Sequence, residues 1–281
     1  MTQPVQYRTI FISDTHLGTP RAQTGLLLDF LRASESKTLY LVGDIIDNWS
    51  LRKQWYWDQN HNDVIQKILR KARKGTRVIY IPGNHDEQFR DFANLRMARV
   101  VVLKESIHVG LDGKRYLVLH GDKFDGVVLH AKWLAHLGDT AYELAMGLNV
   151  QVNRVRRFFR LPYWSLSAYL KHKVKKAVEF ISNFETAVVR DARERGCQGV
   201  ICGHIHTPEM RVIDGIQYMN DGDWVESCTA LVEHLDGRWE ILDFGKSAIP
   251  VQAKSNSQAA RAALAMGAAR PEAVSFRLWP E

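Results

Sequence analysis

Five short polar segments constrain this chain more than anything else in it: Asp14-Thr15-His16, Gly43-Asp44-Ile45-Ile46-Asp47, Gly83-Asn84-His85-Asp86, His120-Gly121-Asp122 and Gly203-His204-Ile205-His206. Nearly all follow an apolar, strand-like run, such as Arg8–Ser13, Thr38–Val42, Arg77–Ile81 or Tyr116–Leu119. In layered α/β folds, ligands bind at the carboxyl ends of strands. A fold that serves all five segments must bring their strand ends to one edge.

The intervening sequence supplies the layers. Thr24–Ala33 has helical spacing, and Asn62–Lys74 places Val64, Ile65, Ile68 and Leu69 on one side of a helix. Strand, helix, strand, helix, strand predicts a sheet with crossover helices. Further on, Asp112-Gly113, Asp214-Gly215 and Asp236-Gly237 each separate two strand-like runs, which is a hairpin signal. These hairpins predict a second, more antiparallel sheet, packed face to face on the first with helices outside. Between Gly121 and Gly196 there is no strand signal. Helices are predicted over Val127–Leu148 and Leu166–Arg195, as a lid inserted between sheet segments. The expected division is a core of 1–121 and 196–249, a lid of 122–195 and a tail of 250–281.

Composition narrows the setting. Hydrophobic residues make up 46% and charged residues 25%, as in an ordinary soluble domain. No charge-free apolar stretch reaches membrane-spanning length, and Met1 to Arg8 lacks the pattern of a signal peptide. Three cysteines without CxxC spacing argue against a disulfide framework or a zinc ribbon. A cytoplasmic protein is the expectation. The net charge of +7 suits a phosphorylated substrate, anionic lipid or nucleic acid.

The motif side chains are imidazoles, carboxylates and one carboxamide, with no thiolate. That set suits Mn²⁺, Fe²⁺, Zn²⁺ or Mg²⁺. Four histidines, two aspartates and an asparagine are too many for one ion. They suit two ions sharing a carboxylate, an arrangement that activates water and clamps a phosphoryl group.

The order DxH, GDxxD, GNHD, HGD, GHxH, over residues 14 to 206, resembles the calcineurin-like metallophosphoesterases. The resemblance implies a four-layer α/β sandwich of two mixed sheets flanked by helices. It implies that Asp14, His16 and His206 hold one metal, that Asn84, His120 and His204 hold the other, and that Asp44 bridges them. Manganese is the metal expected, with iron or zinc as alternatives. His85 would protonate the leaving oxygen or stabilise its charge. Asp47 and Asp86 would orient histidines, with helix capping as the rival role for both.

Within that family, the opening ISDTHLGT, the GDIIDNW segment, the compact length and the helical insertion are most similar to the UDP-2,3-diacylglucosamine diphosphatases. Those enzymes cleave a pyrophosphate to a lipid monophosphate and UMP, under a cap that receives acyl chains. The lid has suitable chemistry: Arg154, Arg156, Arg157 and Arg160 interleave with Phe158, Phe159, Tyr163 and Trp164, and Lys171, Lys173, Lys175 and Lys176 follow. Arg157, Lys171 and Lys175 are the candidate substrate contacts, and the same cations suit an anionic membrane surface on its inner face. Two departures stand against the match. The group carries GNRD where this chain has His85, and Lys123-Phe124-Asp125-Gly126 does not follow its pattern. A nuclease or cyclic-nucleotide phosphodiesterase on the same fold is the competing reading, and a catalytically silent scaffold is a third. The oligomeric state is not readable from the sequence.

Overall fold

The computed structural model of the chain describes residues 3–127 and 166–245. The predicted helix over Val127–Leu148, the cationic stretch that holds Arg157, and the tail lie outside the described residues. So do the side chains of Lys171 and Lys175, although the helix backbone that carries them is described.

The first half of the chain builds a parallel sheet. Strands β1 (Val5–Ile12), β2 (Ser34–Val42), β3 (Arg77–Ile81) and β5 (Val100–Val102) run parallel in that order. Helix α1 (Thr24–Ala33) crosses from β1 to β2, and α3 (Gln59–Arg73) crosses from β2 to β3. A short helix, α2 (Asn48–Lys53), lies just beyond β2. Strand β4 (Arg96–Met97) closes one edge antiparallel to β5. Strands β11 (Thr229–Glu233) and β12 (Trp239–Asp243) extend the other, giving seven strands in the order β12-β11-β1-β2-β3-β5-β4. The third expected hairpin therefore joins the first sheet, because β11 pairs with β1.

The second sheet has five strands in the order β6-β7-β8-β10-β9. They are β6 (Ser106–Val109), β7 (Arg115–Val118), β8 (Gly199–Cys202), β9 (Glu209–Ile213) and β10 (Ile216–Asn220). The hairpins β6-β7 and β9-β10 form as expected, but the central strands β7, β8 and β10 are parallel. This sheet is mixed rather than mainly antiparallel, since Gly199–Cys202 inserts between the two hairpins.

Three apolar clusters fix the layers. Phe11, Tyr40, Ile79 and Ile81 of the first sheet meet Tyr116, Val118, Ile201 and Met219 of the second. On the outer face of the first sheet, Leu27 and Leu31 of α1 and Val64 and Ile68 of α3 pack against β1 and β2. On the outer face of the second, α4 (Leu166–Glu194) sets Phe180, Phe184, Val188 and Ala192 against Leu117, Val200 and Tyr218. The result is four layers: helix, sheet, sheet, helix. The second half of α4 thus belongs to the core, so the expected lid boundary near 195 moves back to before Phe180. Its apolar positions recur at helical spacing and need an apolar partner, which the second sheet supplies.

Candidate metal centre

The five segments converge because their strands end at one edge. Asp14 follows β1, Asp44 follows β2 and Asn84 follows β3 in the first sheet; His120 follows β7 and His204 follows β8 in the second. Backbone hydrogen bonds tie the loops together. The Asp14 N–H donates to Gly43 O at 3.0 Å, His16 N–H to Asp44 O at 3.0 Å and Gly203 N–H to His120 O at 3.2 Å.

Local geometry is bent to the task. Of nine non-glycine residues with positive φ among the described residues, five are motif residues: Asp14, His16, Asp44, His204 and His206. Each such residue costs about 1–3 kcal/mol and persists only where its surroundings enforce it. The motif glycines have a steric reason. A Cβ on Gly83 would run into the Asp44 carboxylate and the His120 ring, and one on Gly43 would also strike His120.

Four of the candidate ligands, Asp14, His16, Asp44 and His120, use one polar atom for the fold and turn the other inward. Asp14 Oδ2 accepts the His204 N–H at 2.8 Å, and Asp44 Oδ1 accepts the His85 N–H at 2.8 Å. His120 Nδ1 donates to Val42 O at 2.8 Å, and His16 Nδ1 lies 3.2 Å from Asp47 Oδ2. The remaining atoms, Asp44 Oδ2, His16 Nε2 and His120 Nε2, are buried without a well-aligned hydrogen bond, and so is Asn84 Oδ1, while Asp14 Oδ1 has only the His206 imidazole, with Nε2 at 3.0 Å, beside it. Several of them face one another: His120 Nε2 is 3.4 Å from Asp44 Oδ2, and His16 Nε2 is 3.8 Å from Asp14 Oδ1. Three groups of ligand atoms among the described residues lie close enough to share an ion: Asp14–His16–His206, Asp44–His120–His204 and His16–Asp47–His85. Buried polar atoms left bare cost about 1–3 kcal/mol each. Four of these ligand atoms, Asp14 Oδ1, His16 Nε2, Asp44 Oδ2 and His120 Nε2, lie within 3.9 Å of the next in turn and fit a divalent pair that would satisfy them.

The electrostatics agree. Burial opposes ionisation of Asp14, but the histidines around it, His206 foremost, hold its carboxyl well below the usual range. Burial likewise opposes charge on Asp44, yet His120 and His16 keep its carboxyl low. Burial should strip the proton from His120, but Asp44 and Asp14 push it up to about 10. The site is a buried pool of negative charge that calls for cations.

Asp47 and Asp86 turn out differently. Asp47 lies against two histidines, with its Oδ1 3.0 Å from His85 Nδ1, and it also caps α2 through the Ser50 N–H at 2.7 Å. Burial works against its charge, but contacts with His16, His85 and Ser50 hold its pKa low. Asp86 makes no hydrogen bond to a histidine. Its carboxylate accepts the N–H groups of Asp44, Ile45, Ile46 and Gly83 and the Tyr80 hydroxyl. It therefore fixes the Asp44 loop rather than orienting an imidazole. The reason is position: it follows β3 and sits under the neighbouring β2 loop.

Three features of the site escape the motif reading. His85 is flanked by Trp49, ring centroids 4.2 Å apart, and by His16 edge-on at 4.7 Å. His204 Nε2 is hydrogen-bonded to Asp125, in the segment that departs from the expected pattern. The loop Asn220-Asp221-Gly222-Asp223-Trp224 is fully buried behind the centre. There Asn220 Nδ2 donates to Gly203 O at 2.8 Å, Ser13 Oγ to Asp221 Oδ1 at 2.7 Å, and Trp224 N–H to Asp14 O at 3.1 Å. The signal was present, since this polar run follows the apolar strand Ile216–Met219 as the five motifs follow theirs.

A four-layer sandwich carrying carboxylates and imidazoles at the strand ends of both sheets defines a metal-dependent phosphohydrolase. Residues 7–208 match the model of the calcineurin-like phosphoesterases, and the chain belongs to that family. It is 25% identical over 228 residues to the UDP-2,3-diacylglucosamine hydrolase of Neisseria meningitidis serogroup B, covering 76% of this chain and 88% of that one. The protein of the same name from Aeromonas salmonicida is 28% identical over 243 residues, covering 80% and 89%. Among solved structures, Yfce, a phosphoesterase from E. coli, matches with a TM-score of 0.41 and 15% identity, over 84% of this chain and 98% of that one.

Proposed function

We propose that this chain hydrolyses a phosphodiester or pyrophosphate bond with two divalent ions, most readily Mn²⁺, and that its substrate is a nucleotide-lipid of the UDP-2,3-diacylglucosamine kind. The observation that carries the chemistry is the set of four buried ligand atoms, Asp14 Oδ1, His16 Nε2, Asp44 Oδ2 and His120 Nε2, each within 3.9 Å of the next. Asp14, His16 and His206 would hold one ion, and Asn84, His120 and His204 the other, with Asp44 shared. When bound, the two ions supply a low-pKa water and charge neutralisation at phosphorus.

The chain's own groups do the rest. Asp47 sits at the Nδ1 side of both His16 and His85, which leaves each Nε2 to face the reaction space. His85, packed on Trp49, is the proton donor to the departing oxygen. Its placement between a carboxylate and an indole leaves the ring few orientations to adopt, which favours transfer along one line. Asp86 keeps the Asp44 loop in place.

The names of the relatives support the nucleotide-lipid, and the cationic and aromatic sequence of 154–176 suits a phosphate with acyl chains, next to an anionic membrane surface. No helix among the described residues is long and apolar enough to cross a membrane, and a cytoplasmic enzyme working at the inner face fits this reading. The test is a Mn²⁺-dependent activity screen on bis-p-nitrophenyl phosphate, UDP-2,3-diacylglucosamine and single-stranded DNA. Release of UMP from the lipid at the highest kcat/KM supports the proposal. Faster cleavage of DNA would replace it with a nuclease, and inertness toward all three would leave a binding scaffold.

A further inference from the structure

Two imidazoles of the centre are held from behind by the same stretch of chain. His16 Nδ1 rests on Asp47 Oδ2 at 3.2 Å, and His120 Nδ1 on Val42 O at 2.8 Å. Both acceptors belong to β2 and the loop that follows it. In each ring Nε2 is then the candidate ligand atom. His204 inverts this pattern. Its Nε2 contacts Asp125 Oδ1, which makes Nδ1 the other candidate ligand atom of the ring. The His204 side chain is fully buried and edge-on to His120, with ring centroids 4.9 Å apart. Its ligand atom lies within 4.8 Å of those of Asp44 and His120.

Asp125 reaches the ring from outside the five motifs. It lies on the 3₁₀ turn Asp122–Val127, which follows β7. The turn is fixed to the core at several points. Arg90 pairs with Asp122 at 2.8 Å, Lys123 pairs with Asp191 of α4 at 2.8 Å, and the Phe124 ring stands edge-on to Phe184 at 6.3 Å. The Phe124 N–H also donates to Gly121 O at 3.0 Å. Asp125 is therefore presented to His204 by an anchored backbone, although its own side chain is 41% exposed. Any acceptor would satisfy a buried ring N–H. A carboxylate does more, because it keeps the proton on the nitrogen it faces, fixes the plane of the ring and raises the basicity of the other nitrogen.

We infer that Asp125 is the positioning residue of His204: it holds the Nε2 proton, commits Nδ1 to the ion that His204 shares with Asp44 and His120, and so couples the turn after β7 to occupancy of that one ion. This rests on the two-ion reading above and adds to it a residue that none of the motifs contains. The first ion, assigned to Asp14, His16 and His206, has no contact of this kind with the turn, because His16 is held by Asp47 instead. The effect of Asp125 is therefore specific to one of two sites. Linkage makes it reciprocal: whatever the ordered turn adds to the affinity of the ion, the bound ion adds to the order of the turn.

The test titrates the full-length protein, stripped of metal, with Mn²⁺ by calorimetry, and follows amide hydrogen exchange over residues 121–127 with and without Mn²⁺. Wild type is compared with Asp125→Ala and with Asp125→Asn, which keeps an acceptor oxygen but not the charge. Because Asp125 is partly exposed, both variants should fold. The inference expects one of the two binding steps to weaken about 10–100-fold in Asp125→Ala and by less in Asp125→Asn, with the other step within about threefold of wild type. Mn²⁺ should slow exchange in the turn of the wild type and not in that of Asp125→Ala. Two unchanged steps overturn the inference. Two steps weakened by the same factor also overturn it, since that is the mark of a loosened fold. So does exchange in the wild-type turn that Mn²⁺ leaves unaltered while two ions bind. A wild type that binds fewer than two Mn²⁺ removes the two-ion reading itself.

Discussion

Asp86→Ala is the substitution that best separates a loop-fixing role from a histidine-orienting one. The Asp86 carboxylate is fully buried. It accepts the Ile45 N–H at 2.8 Å, the Asp44 and Ile46 N–H groups at 3.3 Å, the Gly83 N–H at 2.5 Å and the Tyr80 hydroxyl at 2.5 Å. Burial and the nearby Asp44 charge push its pKa up, so its contribution is geometric rather than one of favourable charge. Alanine would strand those donors in a site with little room for water. One unsatisfied buried donor costs about 1–3 kcal/mol. Several stranded together partly relax, and losses beyond about 4–5 kcal/mol are rare for single substitutions. We therefore expect Asp86→Ala to lose about 3–5 kcal/mol and Asp86→Asn, which keeps one acceptor oxygen, about 1–2 kcal/mol. Urea unfolding of the metal-free protein, with m unchanged, reads the difference. Because the Asp44 loop loosens, manganese affinity should fall in the same order. Unfolding midpoints within about 1 kcal/mol of wild type for both variants, with activity lost, would refute the reasoning and return Asp86 to a role beside a histidine.

Three further substitutions probe other parts of the account. Glu233 is buried, and although burial raises its pKa, His108, Arg8 and the Leu111 N–H bring it from 4.5 down to about 2. A depressed carboxyl pKa stabilises fully above pH 4.5 and loses that contribution as pH falls toward 2, here about 3 kcal/mol. Acid titration of stability should therefore be shallower over this range in Glu233→Gln, and superimposable curves would contradict the cluster. Phe184 is fully buried on α4, and a Cβ on Gly121 would come within 2.7 Å of its ring. Phe184→Ala should cost about 3–5 kcal/mol in urea unfolding, whereas a loss below about 1 kcal/mol would put that half of the helix outside the core. His85→Ala should keep its metal and lose about 10²–10⁴ in kcat, most with poorly leaving aryl groups. An equal loss across a series of aryl phosphodiesters would rule out proton donation.

The sequence made the site more legible than the fold around it. A polar motif behind an apolar strand reports its own position, because strand ends are where ligands collect, and so Asp14, Asp44, Asn84, His120 and His204 could be placed together from separations of up to 190 residues. Pairing partners are a different matter. Nothing local tells β11 that it will lie against β1, since both faces of either sheet reward the same Val and Ile pattern. Strands as short as Arg96–Met97 and Val100–Val102 fall below any periodicity signal. Helix α2 has only six residues and is defined by its Asp47 cap rather than by an apolar stripe. The core half of α4 was readable as helix but not as core, because an amphipathic helix looks the same over a sheet as in a lid. Asp86 is legible as a residue of the site, but its partners are not, because backbone N–H groups are displayed by no motif. The two aromatics, the exposed Trp49 against His85 and the buried Trp224 behind Asp14, carry no spacing that sets them apart from surface or core tryptophans.

Metal content decides the central claim. Purified wild-type protein, stripped and then equilibrated with Mn²⁺, should retain two ions per chain by elemental analysis after desalting. Asp44→Ala, which removes the one carboxylate that faces His16, His85 and His120 alike, should retain fewer than one while remaining folded. A wild-type protein that takes up one ion or none with manganese, iron and zinc alike would contradict the account, as would an Asp44→Ala variant that still holds two.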